Sequence, residues 1–75
     1  MKEKYEVCSN LKKILDERNK SIRWLAAEAG LKFETVRRLY NDDTKQYQRE
    51  TIAAVCIALN IELSELLEIR KAENE

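Results

Sequence analysis

The sequence predicts an all-α fold, a compact bundle of five short helices, and three observations carry that expectation. Proline is absent and glycine occurs once in 75 residues, which leaves almost no turn chemistry for a β-rich architecture. Hydrophobic residues make up 44% of the chain, enough for one small core. Five apolar-periodic segments follow one another, separated by short polar links of the kind that place consecutive helices side by side. A single domain spanning residues 1–75 is expected, with an ordered core over about 7–69. Its core lies near the lower size limit for a fold without staples, so dimerisation would help it.

The first helix is expected from near Val7 to Arg18, with Val7, Cys8, Leu11, Ile14 and Leu15 on one face and Lys12, Lys13, Asp16 and Glu17 on the wet side. Met1 to Glu6 are expected to fray; the alternative is an arm carrying Lys2, Lys4 and Tyr5 along a polyanion. In the second helix, Ile22 to Ala29, the residues Ile22, Leu25, Ala26 and Ala29 recur at i, i+3, i+4, i+7, with Ser21 placed as N-cap. Small Ala26 lets a second helix approach closely, and Gly30 can take the positive φ that ends one helix and redirects the chain. The third helix, about Phe33 to Asn41, turns Val36, Leu39 and Tyr40 inward and Glu34, Arg37, Arg38 and Asn41 outward. A polar loop, Asn41 to Gln48, leads to a fourth helix, about Arg49 to Leu59, that buries Ile52, Val55, Cys56 and Leu59 and stops at Asn60. The last helix is expected over about Leu63 to Ala72, with Leu63, Leu66, Leu67 and Ile69 offering more apolar surface than one short helix normally buries, before a solvated tail.

Small Ala26, turn Gly30, and apolar Leu25, Ala29, Leu31, Val36 and Leu39 together resemble the helix-turn-helix of the Cro/repressor-type (XRE-like) DNA-binding family. The downstream stretch TIAAVCIALNIELSELLE is similar to the family's following helices, and the resemblance covers about residues 7 to 69. It implies a lambda-repressor-like domain whose third helix enters the DNA major groove, with base-reading positions at Phe33, Glu34, Arg37 and Arg38 and Lys32 at the helix start. Side-chain chemistry agrees with that transfer. Each arginine can fork onto guanine O6 and N7 or clamp a phosphate, and Phe33 can touch a thymine methyl. Glu34 could accept from a cytosine amino group or pair with Arg38 at i+4, and Phe33 could instead pack near Val36 and Tyr40. The family's course along the sugar-phosphate backbone makes Lys45, Tyr47, Arg49 and Asn41 phosphate candidates, with Ser21, Lys32 and the N–H groups that open the second and fourth helices. Asp42 and Asp43 must then point away from the phosphates.

The formal net charge is zero, which by itself argues against a nucleic-acid partner, but residues 1–20 and 21–49 each hold six basic and four acidic groups, whereas residues 50–75 hold two and six. A basic front with an acidic back is compatible with DNA on one side. Cys8 and Cys56 are read as buried apolar residues, and without histidine neither a metal site nor a catalytic pair or triad is expected; no cofactor is implied. No apolar run reaches the roughly 20 residues of a membrane span, and the start MKEKYE lacks a signal peptide's apolar region, so a cytoplasmic protein is expected.

Two functions from different classes follow. The first is a sequence-specific transcriptional regulator, a repressor of bacterial, phage or mobile-element origin by resemblance, that binds a pseudo-palindromic operator on double-stranded DNA as a homodimer. Ala53, Ile57, Leu67 and Ile69 are its interface candidates, with Trp24 as a further anchor. The alternative is a protein-interaction module, anti-repressor or antitoxin-like, that meets a partner through Trp24, Phe33 and Ile57.

Overall fold

The computed structural model describes residues 4–71. The order of elements is β1 (Tyr5–Ser9), α1 (Leu11–Arg18), α2 (Ile22–Ala29), α3 (Phe33–Tyr40), α4 (Arg49–Leu59), α5 (Leu63–Leu66) and β2 (Leu67–Lys71). Among the described residues five helices are present as expected, but the two ends of the described chain form a two-stranded antiparallel sheet, so the fold is not strictly all-α. The sheet pairs Tyr5 with Lys71, Val7 with Ile69 and Ser9 with Leu67.

This sheet corrects two expected helices. Val7 and Cys8 do not belong to α1: the Ser9 hydroxyl takes the Leu11 N–H at 3.1 Å, the Asn10 N–H donates to the Leu66 carbonyl at 2.7 Å, and the Asn10 carbonyl accepts the first helical bond, from Ile14. Val7 is 47% exposed, and within the strand only Cys8, at 6%, is buried. The last helix is one turn long. Glu62 N–H donates to the Glu65 carboxylate at 3.0 Å to start it, and Leu67 already has φ −119 and ψ 145, extended backbone. Leu67 and Ile69 thus belong to β2, which pairs antiparallel with β1 and satisfies the backbone groups of the intervening Glu68 and Arg70. Tyr5 and Glu6 are strand residues rather than frayed ends. Of the arm considered above, Met1, Lys2 and Glu3 lie outside the described residues, as does Ala72 at the other end.

The inner helices match the sequence closely. Ser21 Oγ accepts the Trp24 N–H at 3.0 Å as N-cap of α2. Gly30 closes α2 at φ +68, and Asn60 closes α4 at φ +55. A Cβ built on Gly30 meets nothing within 4 Å, so this corner needs glycine for its backbone angle and not for space. The core joins Leu11 and Leu15 of α1, Leu25 and Ala26 of α2, Val36 and Leu39 of α3, Val55 and Leu59 of α4, and Leu66. Each fully buried leucine contributes about 1.5–3 kcal/mol of apolar transfer. Arg18 extends this packing with a polar link: its Nη1 donates to the Leu59 carbonyl at 2.6 Å, satisfying an orphan group at the C-terminus of α4.

Candidate nucleic-acid interface

Three contacts outside the core hold α3 in place. The Tyr40 hydroxyl donates to Asp16 Oδ1 at 2.9 Å, and Lys12 Nζ binds the other oxygen of the same carboxylate at 3.1 Å while lying 5.2 Å from the Tyr40 ring centroid. These hydrogen bonds, from Lys12 first and Tyr40 second, hold the Asp16 carboxyl below its ordinary value. At the end of α3, Asp42 adopts a left-handed φ of 57 and turns its carboxylate back to accept the Ser9 N–H of β1 at 3.0 Å. The Asp42 carboxylate is thereby engaged by β1. Asp43 is exposed, and its charge reinforces the protonated state of Arg37.

With Val36 and Leu39 buried, the opposite side of α3 carries Glu34, Arg37 and Arg38. Glu34 pairs with Arg37 at i+3 rather than with Arg38 at i+4: Arg37 Nε donates to Oε1 at 3.1 Å and Nη2 donates to Oε2. Two parallel N–H···O bonds fit a guanidinium to a carboxylate better than one. The hydrogen bond from Arg37 lowers the Glu34 carboxyl below its ordinary value, so both groups are charged at neutral pH. Arg38 is exposed, and its side chain makes no hydrogen bond or salt bridge to the described residues. Phe33, 41% exposed, lies under the Arg23 guanidinium, 5.1 Å from the ring centroid.

An open groove of about 680 Å³ runs beside this face, between the α2–α3 turn, α3, the following loop and the first turn of α4. Of the expected site residues, Lys32, Glu34, Arg38, Lys45 and Tyr47 line it, and Phe33, Arg37, Asn41, Arg49 and Ser21 do not. Asn41 caps the C-terminus of α3, and Arg49 opens α4, whose N-cap Gln48 makes no side-chain bond to the helix and so leaves its first N–H groups available. The Tyr47 hydroxyl already faces β1, 3.5 Å from the Val7 carbonyl, and burial pushes its phenol above the ordinary value, keeping it a protonated donor. Thr35, Gln46, Gln48 and Thr51 also line the groove and were missed by the sequence reading, as was Arg23 on the Phe33 ring. Thr35 had a signal, since it lies one turn before Arg38.

The interface candidates separate. Ile57 is 79% exposed, Ile69 72%, and Ala53 is exposed, whereas Leu67 packs against the core and Trp24 is half-buried with Lys20 Nζ 4.7 Å above its ring. Both cysteines are free thiols, and burial pushes each above its ordinary value. Among the described residues, no helix is long and apolar enough to cross a membrane.

The fold is shared with a solved crystal structure from Bacteroides fragilis, described as a "putative DNA-binding protein", which matches at a TM-score of 0.72 and 24% identity over 84% of this chain and 100% of that one. No curated protein matches the chain. Residues 10–72 match the sequence model of the Cro/C1-type helix-turn-helix DNA-binding domain, a span that holds α1 to α5, the Gly30 corner and the whole groove. The chain belongs to the Cro/C1-type helix-turn-helix DNA-binding family.

Proposed function

We propose that the protein is a sequence-specific transcriptional regulator, of bacterial, phage or mobile-element origin, that represses by occupying an operator as a two-fold dimer. The observation that carries this reading is the groove in which Arg38, without a hydrogen-bond or salt-bridge partner among the described residues, stands beside Lys32, Thr35 and Lys45 on the outer side of a helix fixed to the core. An α-helix with exposed arginine fits the major groove, where base edges present distinguishable patterns. In this docking Arg38 reads a base and Phe33, Glu34 and Arg37 border it. Lys32, Lys45, Asn41, Arg49 and the N–H groups behind Ser21 meet phosphates, with Tyr47 acting through its ring. A formally neutral chain adds little electrostatic affinity to the few base pairs one helix reads, which favours two copies on a pseudo-palindrome with recognition helices roughly 34–36 Å apart. Occupancy alone accounts for repression, since a bound dimer blocks a promoter without further machinery.

The test is unbiased selection of bound duplexes at physiological salt, followed by a reporter with the selected site inside a promoter. An enriched two-fold motif and lowered expression are expected. Absence of enrichment would transfer weight to the second reading, a protein-interaction module, which the 79% exposure of Ile57 on α4 favours.

A further inference from the structure

We propose that the outer edge of β2 is a self-complementary pairing edge, and that a second copy of this chain adds to it antiparallel about Ile69, giving a continuous four-stranded sheet in the order β1, β2, then β2 and β1 of the partner copy. The inference deepens the dimer proposed above and rests on it.

The direction of each backbone group follows from the register. Asn10 N–H donates to the Leu66 carbonyl, and these residues lie directly opposite one another by extension of the Ser9–Leu67 pair. Bonded and non-bonded pairs alternate along an antiparallel ladder, so Cys8 bonds Glu68 and Glu6 bonds Arg70, while Val7, Ser9, Leu67 and Ile69 turn their N–H and C=O groups to the outside. Contacts on both strands agree with this assignment. Ser9 N–H goes outward to Asp42, Val7 C=O goes outward to Tyr47, and Leu67 N–H goes back to the Leu63 carbonyl.

The two edges of the sheet are therefore unequal. That of β1 is covered by the Asp42 carboxylate and the Tyr47 hydroxyl, whereas the Ile69 N–H and C=O on β2 have no partner among the described residues. An uncovered strand edge is a template for another strand, and proteins that do not use such an edge block it.

The sequence of β2 states which strand fits. Antiparallel pairing about Ile69 places Glu68 opposite Arg70 of the partner copy and Arg70 opposite its Glu68, so the edge is complementary in charge to itself. The two Ile69 residues exchange both N–H···O bonds at the two-fold axis. Val7 and Ile69 share one face and are 47% and 72% exposed, so the joined sheet carries a continuous apolar row of four side chains, two from each copy. On the other face Glu68 and Arg70 pair with each other within one strand, and both contact Asn10.

The experiment is sedimentation equilibrium of the full chain with three variants: Glu68→Arg, Arg70→Glu and Ile69→Pro. The wild type is expected to self-associate, and each charge variant to do so about tenfold more weakly, because like charges then face each other twice across the axis. An equimolar mixture of the two charge variants should regain wild-type association, since one copy then offers only positive and the other only negative groups. Ile69→Pro should give a helical monomer, as its missing N–H serves no bond within the chain and proline is tolerated at an outward edge position. A monomeric wild type, a mixture as weak as its components, or a dimeric Ile69→Pro would overturn the proposal; if a charge variant fails to fold, Ile69→Pro alone decides. DNA selection with the wild type and Ile69→Pro keeps the two readings apart. Half-site enrichment by the monomeric variant leaves the regulator standing whatever the interface, and a wild type that pairs through β2 but enriches no DNA overturns the regulator alone.

Discussion

Arg37 and Arg38 are neighbours on the same helix with different surroundings, Arg37 held by Glu34 and Arg38 exposed, and in the docking proposed above alanine substitution should separate them. Arg38 has its whole guanidinium available, and a bidentate contact to guanine is worth about 1–3 kcal/mol, so Arg38→Ala should cost about 5- to 150-fold on the selected operator and relax the preference at one base pair. Arg37 has Nε and Nη2 engaged by Glu34, which leaves it acting as a point charge. One phosphate neutralised contributes a slope of about −0.9 in log affinity against log salt, roughly fivefold between 1 M and physiological salt, and Arg37→Ala should remove that amount from every sequence alike. Glu34→Gln provides the internal check: it weakens the hold on Arg37 and removes a like charge from the phosphates, so binding should tighten on all duplexes and its salt dependence should steepen. Fluorescence anisotropy titrations of the operator and its single-base variants at three or more salt concentrations measure all of this. The reasoning fails if Arg37→Ala relaxes base preference while Arg38→Ala weakens every sequence equally. It also fails if Glu34→Gln loses discrimination at one base pair, which would make Glu34 itself a reader.

Two stability predictions follow from the same geometry. Gly30→Ala should cost about 1 kcal/mol, through the positive φ alone because no atom crowds the site, and lower the melting midpoint by about 4–8 °C, whereas Gly30→Asn should cost less; an unfolded Gly30→Ala variant would mean the corner lacks space after all. Asp16, Glu34 and Glu68 all have carboxyls lowered by partners in the folded state, so their stabilisation is complete above the ordinary carboxylate range of about pH 4 and is lost as pH falls through their lowered folded values. Thermal melts should therefore be flat from neutral pH to about pH 5 and fall below it, shallowly because these pairs are exposed, and Asp16→Asn should flatten the fall; a midpoint that rises on acidification would contradict the sign.

The helix-turn-helix was legible because all its signals are local. Ser21 caps a helix three residues on, Gly30 ends it, and Val36 and Leu39 recur at helical spacing. The sheet was not legible because its partners, Tyr5 and Lys71, lie at opposite ends of the chain, and no window of sequence contains both. Two coincidences concealed it further: Val7 stands four residues before Leu11, and Leu67 four residues after Leu63, so each strand extended a helical stripe. The site was legible at the level of the helix face and not at the level of the rotamer. A helical wheel makes Glu34 a neighbour of both Arg37 and Arg38, and only the three-dimensional fit of carboxylate to guanidinium separates them. Similarly, the resemblance required Asp42 to turn away from DNA but could not name Ser9 as its partner, because Ser9 falls inside the expected first helix, Val7 to Arg18, rather than on a strand edge.

The strands missed by helical periodicity have a consequence for DNA reading. The loop that carries Lys45 is tied to the protein body at its first residues by the Asp42 bond to Ser9 at 3.0 Å and at its far side by the longer Tyr47 contact to Val7 at 3.5 Å. Both ties end on β1, and β1 is paired along its full length with β2. In the dimer proposed above, the outer edge of β2 meets the partner copy, so each groove is linked to the two-fold axis through two hydrogen-bonded strands. Strand separation is set by hydrogen bonding at about 4.7–4.9 Å and resists sliding, because a one-residue slip would reverse the faces of Val7 and Ile69 and oppose Glu68 to the wrong neighbour. In that dimer the sheet would fix the relative position of the two α3 helices, which must match the pitch of the double helix before either Arg38 could reach a base.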